Sequence, residues 1–290
     1  MNHSQEQFKF VDAHVHFYDM KHPKLYYGHW QPDQDNPVAR KLSQRNYLVE
    51  DFISDSKPHG MIKAVHVQAA IGSKDPVDET RWLQANFERF GLPQAIVGYV
   101  DLRAKDAKEQ IERHLESHNF KGIRDFSYGD YLVSREFKRG VALVEEYNLV
   151  LSVAVQWQNM TKLAELAGEF PGVTMVLDHA GLPKERNPDY FMSWSDGMSS
   201  LAKKENIICK ISGLGMGDNT WTVTSIRPYV EKCIELFGTK RSLFATNWPI
   251  DSLWSSYGEV VQAFREITQG FTDEEIVSLF AGNAERIYKI

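Results

Sequence analysis

Short apolar runs alternate with longer amphipathic stretches along the whole chain. The runs predict strands at Phe10 to His14, Lys63 to Gln68, Ala95 to Asp101 and Lys121 to Arg124. Four more are expected at Leu149 to Val155, Val173 to His179, Ile207 to Gly213 and Leu243 to Asn247. The stretches between them repeat their apolar residues at helical spacing. They predict helices over Asp78 to Phe90, Lys105 to Glu116, Ser134 to Tyr147 and Thr161 to Phe170. Further helices are expected over Ile226 to Phe237, Tyr257 to Ile267 and Asp273 to Tyr288. Strands separated by helices pair in parallel through helical crossovers. Eight such units in 290 residues match a closed (β/α)8 barrel, which takes about 250 residues. An open doubly wound sheet is the alternative, but no G-x-G-x-x-G follows the first strand. No composition shift divides the chain, so residues 1–290 read as one domain, with polar residues 1–8 expected as a flexible tail.

Two connections are longer than a barrel needs. Phe17 to Glu50 carries Tyr26, Tyr27, His29 and Trp30 and reads as an aromatic lid over the barrel mouth. Gly181 to Ser195 reads as a second long loop.

The active site of such a barrel is built at the C-terminal ends of its strands. The polar residues that end each run are therefore the candidates. His14 and His16 end the first run and share a face, because side chains alternate along a strand. Gln68 ends the second run, and Arg124 with Asp125 the fourth. Gln156 and Trp157 follow the fifth, and Asp178 and His179 end the sixth. Ser212 ends the seventh, and Thr246 with Asn247 the eighth. Paired imidazoles can hold a metal ion or polarise a substrate carbonyl. A lone His-x-His is as readily an ordinary strand end. Three histidines from two strands at one mouth are a stronger signal. Arg124 is expected to clamp a substrate carboxylate with two parallel hydrogen bonds, against the simpler reading of a pair with Asp125. Tyr27, Trp30, Trp157 and Trp248 are candidate pocket walls. His66 reads as a core histidine, and His114 and His118 as helix-surface residues with no role. The Gly213 to Gly217 stretch reads as a flexible rim, since it lacks the Lys and Ser/Thr of a phosphate loop.

Composition removes several functions. The net charge is -6 and no long basic run occurs, so nucleic acid is not an expected partner. No apolar run reaches the length of a membrane span, and residues 1 to 8 lack the apolar core of a signal peptide. Two distant cysteines, Cys209 and Cys233, suit a reducing cytoplasm. The expected partner is a small anionic molecule, and a homo-oligomer is compatible with the chain.

His14-x-His16, Leu177-Asp178-His179-Ala180-Gly181, Lys210-Ile211-Ser212-Gly213-Leu214 and Phe244-Ala245-Thr246-Asn247-Trp248-Pro249 occur in order. In these motifs the chain, from Val11 to Ile290, resembles the amidohydrolase-2 branch of the amidohydrolase superfamily. Within it the resemblance is to the sugar-lactone and 2-pyrone-4,6-dicarboxylate lactonases. That resemblance implies a (β/α)8 barrel that opens a ring ester, in some members with one divalent ion such as zinc. One position departs from the pattern. Asn247 stands where the family carries an aspartate that activates water. Asn is neutral and cannot take a proton, so Asp251, four residues later, is the expected substitute base. Asp178 immediately precedes His179, so alternation is expected to turn it from the mouth, and Asp12 is set aside with it. His14, His16 and His179 could supply three zinc ligands. Losing an anionic ligand weakens that site, so a metal-free centre in which the histidines bond the carbonyl directly is the favoured alternative. The expected function is a lactonase. A metal-dependent decarboxylase of the same branch and a non-catalytic binding protein on a decayed barrel are its competitors.

Overall fold

The structure is a computed structural model that describes residues 8–32, 35–125 and 131–290. Of the expected tail, residues 1–7 lie outside the described residues. Phe8 is no part of a tail, for its ring packs edge-on against Phe280 at 5.1 Å.

Eight strands form one parallel sheet in chain order. They are β1 (Phe10–Val15), β2 (Met61–Val67), β3 (Ala95–Tyr99) and β4 (Phe120–Arg124). β5 (Val150–Val153), β6 (Met175–Leu177), β7 (Ile207–Ile211) and β8 (Ser242–Phe244) follow. Neighbouring strands pair in parallel from β1 to β8, with register shifts between β1 and β2 and between β3 and β4. A parallel bridge from Val15 to Trp248 joins the two ends of the sheet, and His16 N donates to Trp248 O at 2.8 Å. Six of the strands, β2, β3 and β5 to β8, end earlier than the apolar runs suggest, because the polar residues there leave the sheet to build the mouth.

Small aliphatic side chains fill the barrel. Val11, Ala13, Val65, Val67, Ala95, Val97, Val150, Val176, Ile208, Leu243 and Ala245 form one buried cluster. Alternate residues point outward into the larger layer beneath the helices. The helices are α1 (Pro37–Leu42), α2 (Val49–Ser56), α3 (Val77–Phe90), α4 (Ala107–His114), α5 (Arg135–Glu146) and α6 (Met160–Glu169). α7 (Pro188–Ala202), α8 (Val223–Phe237), α9 (Tyr257–Ile267), α10 (Asp273–Val277) and α11 (Asn283–Tyr288) complete the set. Their ends follow from capping. Ser256 accepts from Glu259 N to start α9, and Gly91 takes the left-handed conformation that ends α3. The last segment places Ala284, Ile287 and Tyr288 against the barrel's inner cluster. No helix among the described residues is long and apolar enough to cross a membrane.

Three expectations are corrected here. Gly181 to Ser195 is not one long loop. Asn187 caps α7 through Tyr190 N, Pro188 occupies its first turn, and Trp194 Nε1 donates to Ala180 O at 2.8 Å. Its mixture of Ser, Gly and aromatic residues hides the helical period. The aromatic segment after β1 likewise contains α1, and its last two residues, Val49 and Glu50, begin α2. His114 is not on a surface. It is fully buried between α3 and β3, where Thr80 Oγ1 lies 2.8 Å from Nδ1 and Nε2 faces Tyr99 O at 3.1 Å.

Candidate active site

A bulge in β1 sets the first two histidines. Asp12 pairs with Ala64 and Val15 with His66, so three steps on β1 oppose two on β2. The alternation resets across the bulge. Asp12 points outward, where it accepts from Thr246 N, Thr246 Oγ1 and Tyr257 Oη. His14 turns into the barrel. Its Nε2 lies 3.2 Å from His16 Nε2, and the rings meet edge to face at 4.8 Å. His16 Nδ1 stands 2.7 Å from Val67 O. A carbonyl only accepts, so that nitrogen carries the ring proton and His16 Nε2 keeps its lone pair, facing His14 Nε2.

The sixth strand delivers two groups by different means. Asp178 continues the inward parity of Val176, so the expectation that it faces away from the mouth is corrected. His179 would face outward in a strand. It and Ala180 instead adopt φ of 54° and 51°, and this turn swings the imidazole into the mouth. Left-handed backbone at non-glycine residues costs about 1–2 kcal/mol each. Leu182, with φ of 53°, and Asn247, with φ of 60°, are further cases at the same end of the barrel. Such strain concentrates where geometry serves a site.

Asp178 is the electrostatic centre. Ser152 Oγ donates to its carboxylate at 2.9 Å, Lys210 Nζ donates to Oδ1 at 3.1 Å, and Arg124 Nε lies 3.5 Å from Oδ2. Burial pushes this carboxyl up, but Lys210, His14 and Arg124 outweigh burial and hold it well below the usual carboxylate range. Burial pushes the Lys210 ammonium down, and Asp178 reverses that and raises it. Burial lowers all three histidines. His179 adds to the effect on His14, and Arg124 to that on His16. His179 falls to about 3. The site therefore holds three neutral imidazoles beside one ionised carboxylate.

His14, Asp178 and His179 present ligand atoms all within 4.8 Å of one another, a set able to hold a metal ion. His16 stands outside that set, with its Nε2 facing His14 Nε2 and its Nδ1 bonded to Val67 O. The donor set fits a divalent cation. Two neutral imidazoles and a carboxylate are common zinc ligands.

Ser212 Oγ fixes His179 through Nδ1 at 2.9 Å. Asn247 Nδ2 donates to Asp251 Oδ2 at 2.7 Å, and both residues are buried. Burial pushes the Asp251 carboxyl up to about 7, against the hydrogen bonds from Asn247 and the Gly215 backbone. The glycine stretch after β7 is a close-fitting cover rather than a loose rim. A Cβ at Gly213 would fall 2.7 Å from His179 Nδ1, and one at Gly215 would fall 2.7 Å from Asp251 Oδ1.

Other candidates are placed differently. Trp30 lies 5.8 Å from the His16 ring and stacks on Tyr27 at 6.0 Å. Tyr27 itself is buried and accepts from Asp19 N, so it supports Trp30 from behind. Tyr26 is exposed, and its backbone N donates to Ser73 Oγ at 2.9 Å. Trp248 is no pocket wall, because its Nε1 donates to Asp55 and its ring packs on Tyr257 in the helix layer. Gln68 Nε2 folds back on Ala70 O, and Gln156 and Trp157 lead into α6. Asp125 accepts from Leu102 N at 3.1 Å. Lys210 and Ser152 were missed. Their signal was available, since both share inward parity with apolar neighbours two residues before them. Trp30→Ala is expected to raise KM about tenfold with little loss of thermal stability, since one aromatic wall is worth about 1–2 kcal/mol. An unchanged KM would mean that the lid does not touch substrate.

Fold and site together define a (β/α)8-barrel enzyme with an imidazole–carboxylate centre at its C-terminal mouth. The chain belongs to the amidohydrolase family, whose model matches residues 11–290. It is 37% identical to the uncharacterized protein y4mH of Sinorhizobium fredii, over 97% of this chain and 98% of that one. An L-fucono-1,5-lactonase of Burkholderia ambifaria is 26% identical over 97% of this chain and 95% of its own. Among solved structures, an amidohydrolase of Burkholderia multivorans with bound zinc superposes with a TM-score of 0.86 at 24% identity, covering 98% of this chain and all of that one.

Proposed function

We propose that this protein hydrolyses a small sugar-derived or carboxylated lactone. The observation that carries this reading is the cluster of His14, Asp178 and His179 at the barrel mouth, with the buried Asn247–Asp251 pair following β8 at the same end of the barrel. The near-full-length likeness to a protein named L-fucono-1,5-lactonase supports it. In this mechanism the imidazoles hold the ring carbonyl in place. A water molecule bonds to the carbonyl carbon and passes its proton to Asp251. The ring C–O bond then breaks, and the departing oxygen takes that proton from Asp251, giving a hydroxy acid and restoring the base. Asn247, bonded to Asp251, orients that water. His14, Asp178 and His179 would hold one divalent ion, for which zinc suits the donors. When bound, that ion supplies Lewis-acid polarisation of the carbonyl. Arg124 binds a carboxylate or ring oxygens of the substrate. The free, buried cysteines support a reducing compartment such as the cytoplasm.

A panel of sugar-derived and carboxylated lactones, read by acid release, tests this reading. Acid without carbon dioxide is expected from at least one. Carbon dioxide release would favour the decarboxylase, and tight binding without turnover the decayed barrel. On the active lactone, Arg124→Lys is expected to raise KM about tenfold, because an ammonium cannot reproduce a planar two-point contact. Arg124→Met should raise it further. Normal KM in both variants would make Arg124 purely a partner of Asp178.

A further inference from the structure

Lys210 occupies an inward position of β7, one layer above Ile208, and is wholly buried. Burying an ammonium removes its hydration, and a buried ion pair is often no more stabilising than apolar side chains of equal volume. A lysine inside a barrel therefore calls for a role other than filling space. Its Nζ donates to Asp178 Oδ1 at 3.1 Å and lies 5.6 Å from the Tyr288 ring centre. Ser152 Oγ, from the opposite side, donates to the same carboxylate. That carboxylate is thus held on two sides, and its Oδ1 stands 3.6 Å from His14 Nδ1. That nitrogen makes no hydrogen bond, so two neighbours compete for the His14 proton: the Asp178 anion beside Nδ1 and the His16 Nε2 lone pair beside Nε2. An anion beside Nδ1 favours the proton there and leaves the Nε2 lone pair towards His16.

We propose that Lys210 is a positioning residue of the site. It fixes Asp178, and Asp178 fixes the place and tautomer of His14, so that both Nε2 atoms of the β1 pair turn to a common point. The catalytic part of this role rests on the lactonase reading above, whereas its first readout does not.

The test uses the full chain labelled with 15N-histidine and freed of metal by chelation. In the parent, the imidazole spectrum of His14 should show the proton on Nδ1. In Lys210→Met it should move to Nε2 or to a mixture. Zinc binding, measured by calorimetry with zinc alone, should weaken about 10–100-fold, the range for loss of a group that orients a ligand. On an active lactone, kcat should fall by a similar factor with KM within about threefold. If Lys210→Met does not fold, two other variants carry the test. Lys210→Met/Asp178→Asn removes both charges and should lose the same tautomer. Ser152→Ala keeps both charges and should shift it less, in the same direction. An unchanged His14 tautomer with unchanged zinc affinity in the folded variants would reduce Lys210 to a filler of the barrel and overturn the proposal. A tautomer shift in a protein that opens no lactone would leave this proposal standing and sink the lactonase reading instead.

Discussion

Asp251→Asn is expected to lower kcat by roughly 100-fold or more, the scale for loss of a positioned general base. The carboxyl is fully buried, its Oδ2 accepts from Asn247 at 2.7 Å, and burial brings it to about 7. A base works best when its pKa lies near the working pH. The parent should therefore show an acid limb in kcat/KM centred near pH 7, and the variant should lose it. Stability runs the other way. A carboxyl raised in the folded state stabilises fully below its unfolded value of about 4, and that contribution fades as pH rises through about 7. Activity gained through this group above pH 6 thus accompanies a loss of its folding contribution, and Asp251→Asn should flatten both curves. Full activity in the variant would sink the substitute-base role. Neither Asp178 nor Asp12 is an easy replacement. Lys210 and Arg124 hold Asp178 ionised with little basicity, and Asp12 faces the helix layer, bonded to Thr246 and Tyr257.

Asp178→Ala is expected to destabilise the fold by about 3–5 kcal/mol, the cost of stranding one partner of a buried ion pair. The stranded partner is Lys210, fully buried, with the Arg124 guanidinium also losing its neighbour. Thermal unfolding should fall by about 10 °C, since each kcal/mol moves a domain of this size class by a few degrees. Lactone turnover and zinc binding should disappear with it. Because the folded-state pKa is depressed, the contribution of Asp178 is present above pH 4 and is lost only as pH falls well below it. The deficit of the variant should therefore be flat from pH 5 to 8. A melting temperature within about 2 °C of the parent would show that Lys210 and Arg124 are solvated some other way.

Sequence reasoning reached the barrel because its evidence is local and repeated. Each strand announces itself by a run of Val, Ile, Ala and Leu, each helix by its period, and the parallel order follows from their alternation. It reached His14, His16 and His179 because the polar residues that close apolar runs collect at one mouth. Capped but weakly periodic elements such as α7 stayed hidden, since their burial pattern is set by what they cover. Parity failed at two points for the same kind of reason. A single-residue bulge in β1 separates Asp12 from His14, and left-handed backbone at His179 and Ala180 turns that histidine round. Neither is written in residue type.

What the sequence alone determined is the fold class, the end of the barrel that carries the chemistry, the three imidazoles and the unusual amide at Asn247. Only the tertiary structure decided that Asp178 belongs inside with them and that Lys210 lies beneath it. It also decided that Asp251 pairs with Asn247 under Gly215, and that Trp248 serves the helix layer while Trp30 serves the mouth. The division has one physical cause. Strand and helix periods are properties of neighbours along the chain. The state of a buried carboxylate depends instead on charges and dipoles that the fold brings within 4 Å from strands tens of residues apart.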